Sequence, residues 1–202
     1  MSVDKGIAYV QADGIATLAG RAAERRWLQG GTNGWRRFRP WEEIIAHHEA
    51  GHAVLGSALR GSTVLYVDIL RRPELKRGGI CVSGVSGVDY TPEQVRESCE
   101  EKYQSDHRVA VQMCSLLARG GGWRVTLRVV RALRAEADRQ VDAHWRHISA
   151  LAKELVKRGA MNQEEIEPFL PCRADQPARE ATVAAWSATG APETTTATTA
   201  AT

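Results

Sequence analysis

Hydrophobic and polar positions along this chain follow helical spacing in some stretches and strand-like runs in others, and the breaks between them mark out elements. From about Ile15 to Leu28 the apolar residues recur at modest helical spacing, until Gly30, Gly31, Asn33 and Gly34 interrupt them. Trp35-Arg36-Arg37-Phe38-Arg39 then leads into Pro40, whose missing N–H suits the first turn of a helix. Glu42 and Glu43 follow where carboxylates favour a helix N-terminus. The pattern predicts a helix from Pro40 to about Arg60, capped by Gly61. Thr63 to Leu70, TVLYVDIL, is rich in β-branched and aromatic residues and reads as a strand; Gly79 to Ser83 reads as a second. Thr91-Pro92-Glu93-Gln94 is a capping box with proline at the first helical position, and predicts a helix running to about Arg119. Another long helix is expected from Leu127 to Arg158, closed by Gly159, and Asn162 with Glu165 starts a short last one. The expected fold class is mainly α (α+β), with a small β-sheet beside the helix from Pro40.

Composition changes this picture only at the ends. The chain of 202 residues is 43% hydrophobic and 25% charged, as in ordinary globular proteins. From Cys172 onward it turns Ala/Thr-rich and finishes TTTATTAAT, too little apolar surface to order itself. The expected organisation is an N-terminal extension over 1–39, a domain over 40–171 and a disordered tail over 172–202. A net charge of +3 does not by itself imply a nucleic-acid partner. Arg36, Arg37 and Arg39 interleave with Trp35, Phe38 and Trp41, and Arg119, Arg124, Arg128, Arg131 and Arg134 form a second basic run near Trp123. Both read as solvated faces and loop anchors, and no nucleic-acid partner is expected. No apolar run approaches the ~18–20 residues of a membrane span, and the N-terminus lacks the features of a secretory signal. Cys81, Cys99, Cys114 and Cys172 contain no CxxC pair and read as reduced thiols, so the expected compartment is cytoplasmic.

The chemistry concentrates in His48-Glu49-Ala50-Gly51-His52. On a helix, residues i and i+4 share a face, so His48 and His52 can direct two imidazole nitrogens at one ion. Glu49 lies beside the first ligand, within reach of a water on that ion. Two neutral histidines, an open coordination position and a carboxylate base are what a zinc hydrolase of the HExxH type needs. Zinc lowers the pKa of a bound water to about 7 and polarises a carbonyl. Gly51 in mid-helix costs roughly 1 kcal/mol relative to alanine, which suggests a close neighbour against the backbone. His47 lies about 100° away around the helix and is not expected to be a ligand.

Ala46-His47-His48-Glu49-Ala50-Gly51-His52-Ala53-Val54 resembles the AxHEAGHAV signature of the FtsH peptidase domain. VLYVDILR with Gly78-Gly79, and the segment from Trp145 to Phe169, are similar to the strand and closing helices of that family. The resemblance spans about residues 40–170 and implies a stand-alone, zincin-like metalloendopeptidase that binds Zn2+ through His48 and His52. It further implies Glu49 as general base and an extended polypeptide substrate aligned on a sheet edge. No GxxxxGK[ST] phosphate loop is present, so the likeness does not extend to the family's ATPase; substrate unfolding would be unnecessary or done by something else, and the partners expected besides a polypeptide substrate are a homo-oligomer or a separate unfolding protein. The family's third ligand is a downstream aspartate. Here Asp138 is the expected counterpart, with Glu136 and Asp142 as weaker candidates; Asp138 reads equally as the surface partner of an arginine. Without a third carboxylate the domain would be a degenerate, non-hydrolytic protein-binding relative.

Overall fold

Small and apolar residues on the first helical run give it a face that another helix can approach closely. In the computed structural model, which describes residues 3–30, 41–70, 78–85, 88–100, 105–118 and 121–172, this run is α1 (Val3–Gln29), longer than its apolar spacing indicated. Its Ile15, Leu18, Ala19, Ala22 and Ala23 are buried in the core. They pack against α2 (Trp41–Leu55), the helix that carries the histidines. The segment expected to be an extension thus contributes the main packing partner of the motif helix.

α2 widens into a π-helical turn over Gly56–Arg60 and stops at Gly61, whose φ of 61° is the left-handed cap expected there. The chain then enters β1 (Thr63–Asp68), which pairs antiparallel with β2 (Ile80–Gly84). The other side of β1 pairs with β3 (Ala160–Asn162), a strand the sequence did not signal, giving the order β2-β1-β3. Val67 of β1 stands opposite Cys81 and Met161 in this register.

α3 (Pro92–Glu100) begins with the expected capping box: Gln94 N–H donates to Thr91 Oγ1, and Thr91 N–H to Gln94 Oε1. The single helix expected to reach Arg119 is interrupted. A new helix, α4 (Asp106–Leu117), starts with Ser105 as N-cap, its hydroxyl accepting from Arg108 N–H. The stretch expected as one helix from Leu127 to Arg158 likewise divides at His144 into α5 (Gly122–Ala143) and α6 (Trp145–Arg158). A short α7 (Gln163–Ile166) carries the capping box of Asn162 and Glu165.

α1 packs on α2, α4 and α5, and α2 packs also on α6 and the sheet. Leu55, Leu133, Ile148, Leu151, Leu155, Met161 and Ile166 are its largest fully buried apolar side chains. The fold is mainly helical with one small antiparallel sheet, as the pattern indicated. The basic segment Arg36-Arg37-Phe38-Arg39 and residues 173–202 of the expected tail lie outside the described residues. No described helix is long and apolar enough to cross a membrane.

Candidate metal centre

The helical spacing of four brings His48 and His52 to one face of α2, where their Nε2 atoms stand 3.1 Å apart. Asp106, the first residue of α4, completes a triangle: its Oδ2 lies 2.9 Å from His48 Nε2 and 3.4 Å from His52 Nε2. Ligands about 2.0–2.1 Å from a tetrahedral zinc ion are roughly 3.3 Å from one another. The three edges of this triangle match that spacing.

The far sides of both rings are held. Glu24 of α1 accepts from His48 Nδ1–H at 2.9 Å, and the Ala16 carbonyl accepts from His52 Nδ1–H at 2.9 Å. A carbonyl oxygen can only accept, so the His52 proton must sit on Nδ1. The Glu24 carboxylate is held below its ordinary range: burial opposes ionisation, but contact with His48 and Arg21 outweighs it. It therefore accepts in the same way. Held like this, the two Nε2 atoms and the Asp106 carboxylate face one another, an arrangement that needs positive charge between them, either a proton on His48 Nε2 or a metal ion.

The field at this point favours such a cation. Burial disfavours a charged His48, yet the contacts with Asp106 and Glu24, together with the charge of Glu49, raise its pKa to about 10. Asp106 is correspondingly pushed far below the usual carboxylate range: burial acts against this, and the two histidines overcome it. There is also room. A Cβ built on Gly20 would stand 2.5 Å from His52 Nε2 and 2.7 Å from His48 Nε2. α1 therefore presents bare backbone to the space where the donor atoms converge. The donor set of two nitrogens and one carboxylate oxygen, fixed on the far sides, fits zinc.

The carboxylates expected to join the histidines are elsewhere. Asp138 pairs with Arg25 at 2.6 Å and Asp142 with Arg26 at 2.6 Å, tying α5 to α1 across half-exposed surface. Glu136 is occupied by Arg139 and Gln140. Asp106 stands where Asp138 was expected. Its signal was present in Ser105-Asp106 ahead of an apolar-periodic run, a helix start that reading one continuous helix from Thr91 conceals. Glu24 had no local signal; only the crossing of α1 over α2 reveals it.

Glu49 is buried beside the triangle, and burial raises its proton affinity, with the charges of Asp106 and Asp68 adding to the rise and those of His48 and His52 opposing it. It leans toward the start of β2: a Cβ on Gly79 would lie 2.9 Å from Glu49 Cγ. Cys81 is nearby, but burial and the Glu49 charge push its thiol up to about 12, so it stays protonated at neutral pH. His47 faces away, as expected. It stacks between Trp27, 4.1 Å between centroids, and Trp145, 5.5 Å away, with Nδ1–H donated to the Glu43 carbonyl. Searches of protein-family models, curated proteins and solved structures find no match to the chain.

Proposed function

We propose that this chain is a zinc-dependent metalloendopeptidase of the HExxH type, zincin-like in construction and related to the FtsH-like peptidases its motif resembles. The observation that carries this reading is the triangle of His48 Nε2, His52 Nε2 and Asp106 Oδ2, anchored from behind and flanked by a buried carboxylate. Zinc, when bound there, acts as a Lewis acid toward water and a scissile carbonyl. The rest falls to the chain. His48, His52 and Asp106 fix the ion; Glu24 and Ala16 hold the two rings in the tautomer that leaves Nε2 unprotonated. Glu49 takes a proton from the attacking water and delivers it to the leaving amine, and its burial raises its proton affinity toward that task. Among the described residues β2 pairs on its β1 side, and its other edge would align an extended substrate beside Glu49.

The test is zinc content and casein cleavage measured on the same preparations. Glu49→Gln keeps zinc and loses cleavage by about 10²–10⁴-fold, as expected for a missing general base. Asp106→Asn lowers both zinc content and cleavage, whereas Asp138→Asn changes neither. If zinc-loaded wild type cleaves casein no faster than Glu49→Gln, the peptidase reading fails and a non-hydrolytic, peptide-binding role replaces it.

A further inference from the structure

The turn that joins α4 to α5 is flanked by the two most exposed large apolar side chains among the described residues, Leu116 and Trp123, each 70% exposed. Trp123, expected to anchor a loop to the core, stands clear of it instead. Gly121 N–H donates to the Ala118 carbonyl at 2.8 Å, which brings the last turn of α4 and the first turn of α5 to one end of the packed pair. One exposed leucine is ordinary on a protein surface. A leucine and a tryptophan exposed together at one turn call for a reason.

The charge beside them gives one. From His107 to Ala135 the chain holds no aspartate or glutamate. Over the same stretch α5 places Arg124, Arg128 and Arg131 on its exposed face. At 100° per residue the three lie within about 60° of one another, over about 10 Å of helix. Arg124 and Arg128 stand four residues apart, where like charges disfavour a helix. The acids of α5 begin only at Glu136, and they are occupied: Glu136 pairs with Arg139, Asp138 with Arg25 and Asp142 with Arg26. Asp106, the one acid of α4, starts that helix at its other end, next to Arg134. No described acid forms an ion pair with Arg124, Arg128 or Arg131.

We propose that this end of the molecule docks on an anionic lipid surface, with Arg124, Arg128 and Arg131 against the headgroups and Leu116 and Trp123 at the boundary with the acyl chains. A row of arginines matches a sheet of negative headgroups. Tryptophan settles at the headgroup level and leucine just below it. A nucleic acid would offer negative charge too, but it rewards aromatic and guanidinium stacking and has no use for an exposed aliphatic side chain. The docking is peripheral and does not depend on the chemistry at the metal triangle.

The test sediments the full chain with vesicles of phosphatidylcholine alone and with vesicles containing about a third phosphatidylserine. The anionic vesicles should bind it about a hundredfold more tightly, because each arginine near such a surface contributes roughly fivefold. Raising the salt from about 0.1 to 0.5 M should remove most of that gain. Arg124→Gln/Arg128→Gln/Arg131→Gln, exposed changes to a good helix former, should abolish the gain with the circular dichroism unchanged. The corresponding triple lysine variant keeps the charge and should bind like wild type. Brominated acyl chains should quench part of the tryptophan emission, and Trp123→Phe should lose that part. Equal affinity for both vesicles, a gain that survives the glutamine variant, a lysine variant as weak as the glutamine one, or quenching unchanged in Trp123→Phe overturns the proposal. Single-stranded and duplex oligonucleotides are titrated at the same salt. If either binds more tightly than the anionic vesicles through the same three arginines, the face serves nucleic acid and the lipid proposal falls.

Discussion

The lone pairs of His48 and His52 converge in front of Gly20, and that one position controls whether anything can occupy the space between them. Gly20→Ala adds a methyl 2.5 Å from His52 Nε2 and 2.7 Å from His48 Nε2. Alanine is the better helix former by roughly 1 kcal/mol, so α1 stays helical and it is the two rings that must shift away from the added methyl. Zinc content, measured by elemental analysis, should fall to near zero while the helical circular dichroism of the metal-free protein is retained. Full zinc occupancy in Gly20→Ala would place the ion elsewhere. Glu24 acts one step further back. Glu24→Gln leaves His48 Nδ1–H a neutral acceptor in place of a charged one, and zinc affinity should drop by about 10–100-fold, the usual effect of removing a group that orients a metal-ligating histidine. A competition titration against a chromophoric chelator reads this directly, and unchanged affinity would show that Glu24 does not support the ligand.

At the scale of elements, the site depends on how closely α1 can lie on α2. The Gly51 backbone sits under α1: a Cβ there would be 2.8 Å from the Ala19 carbonyl oxygen and 3.0 Å from Ala23 Cβ. The carbonyl is main chain and cannot rotate away, so a larger residue must push the helices apart. Gly51→Val should lower stability by about 1–3 kcal/mol in urea titration, the usual cost of overpacking. It should also weaken zinc binding, because Ala16, Gly20 and Glu24 all reach the centre from the helix being displaced. A variant as stable as wild type would show that the crossing is not tight. The second element that matters is α4. Ser105 caps it and places Asp106 at its first residue, so the carboxylate of the triangle is positioned by a helix start rather than by a loop.

For the whole molecule, an ion at this centre joins distant parts of the chain, since its ligands come from α2 and α4 and their supports from α1. Zinc that binds only the folded state at about a thousand times its dissociation constant stabilises it by about 4 kcal/mol. For a domain of this size that corresponds to a rise in melting midpoint of roughly 8–16 °C. Dialysis against a chelator should lower the midpoint by that order, and added zinc should restore it; identical midpoints in both states would mean that the ion does not link these elements. The local features of the chain were legible because they rest on neighbours in sequence. The placing of His48 and His52 on one helix face follows from the helical repeat, the caps at Thr91 and Asn162 from side chains within three residues, and β1 from its β-branched run. β3 was not legible, because three residues become a strand only by pairing with β1. Nor were Asp106 and Glu24: the sequence offers many carboxylates, and choosing between Asp138 and Asp106 depends on how α1, α4 and α5 pack around α2. Sequence by itself determined which helix carries the paired histidines and the adjacent carboxylate. Tertiary structure alone decided which carboxylates reach them, because it depends on distances between elements that no local pattern encodes.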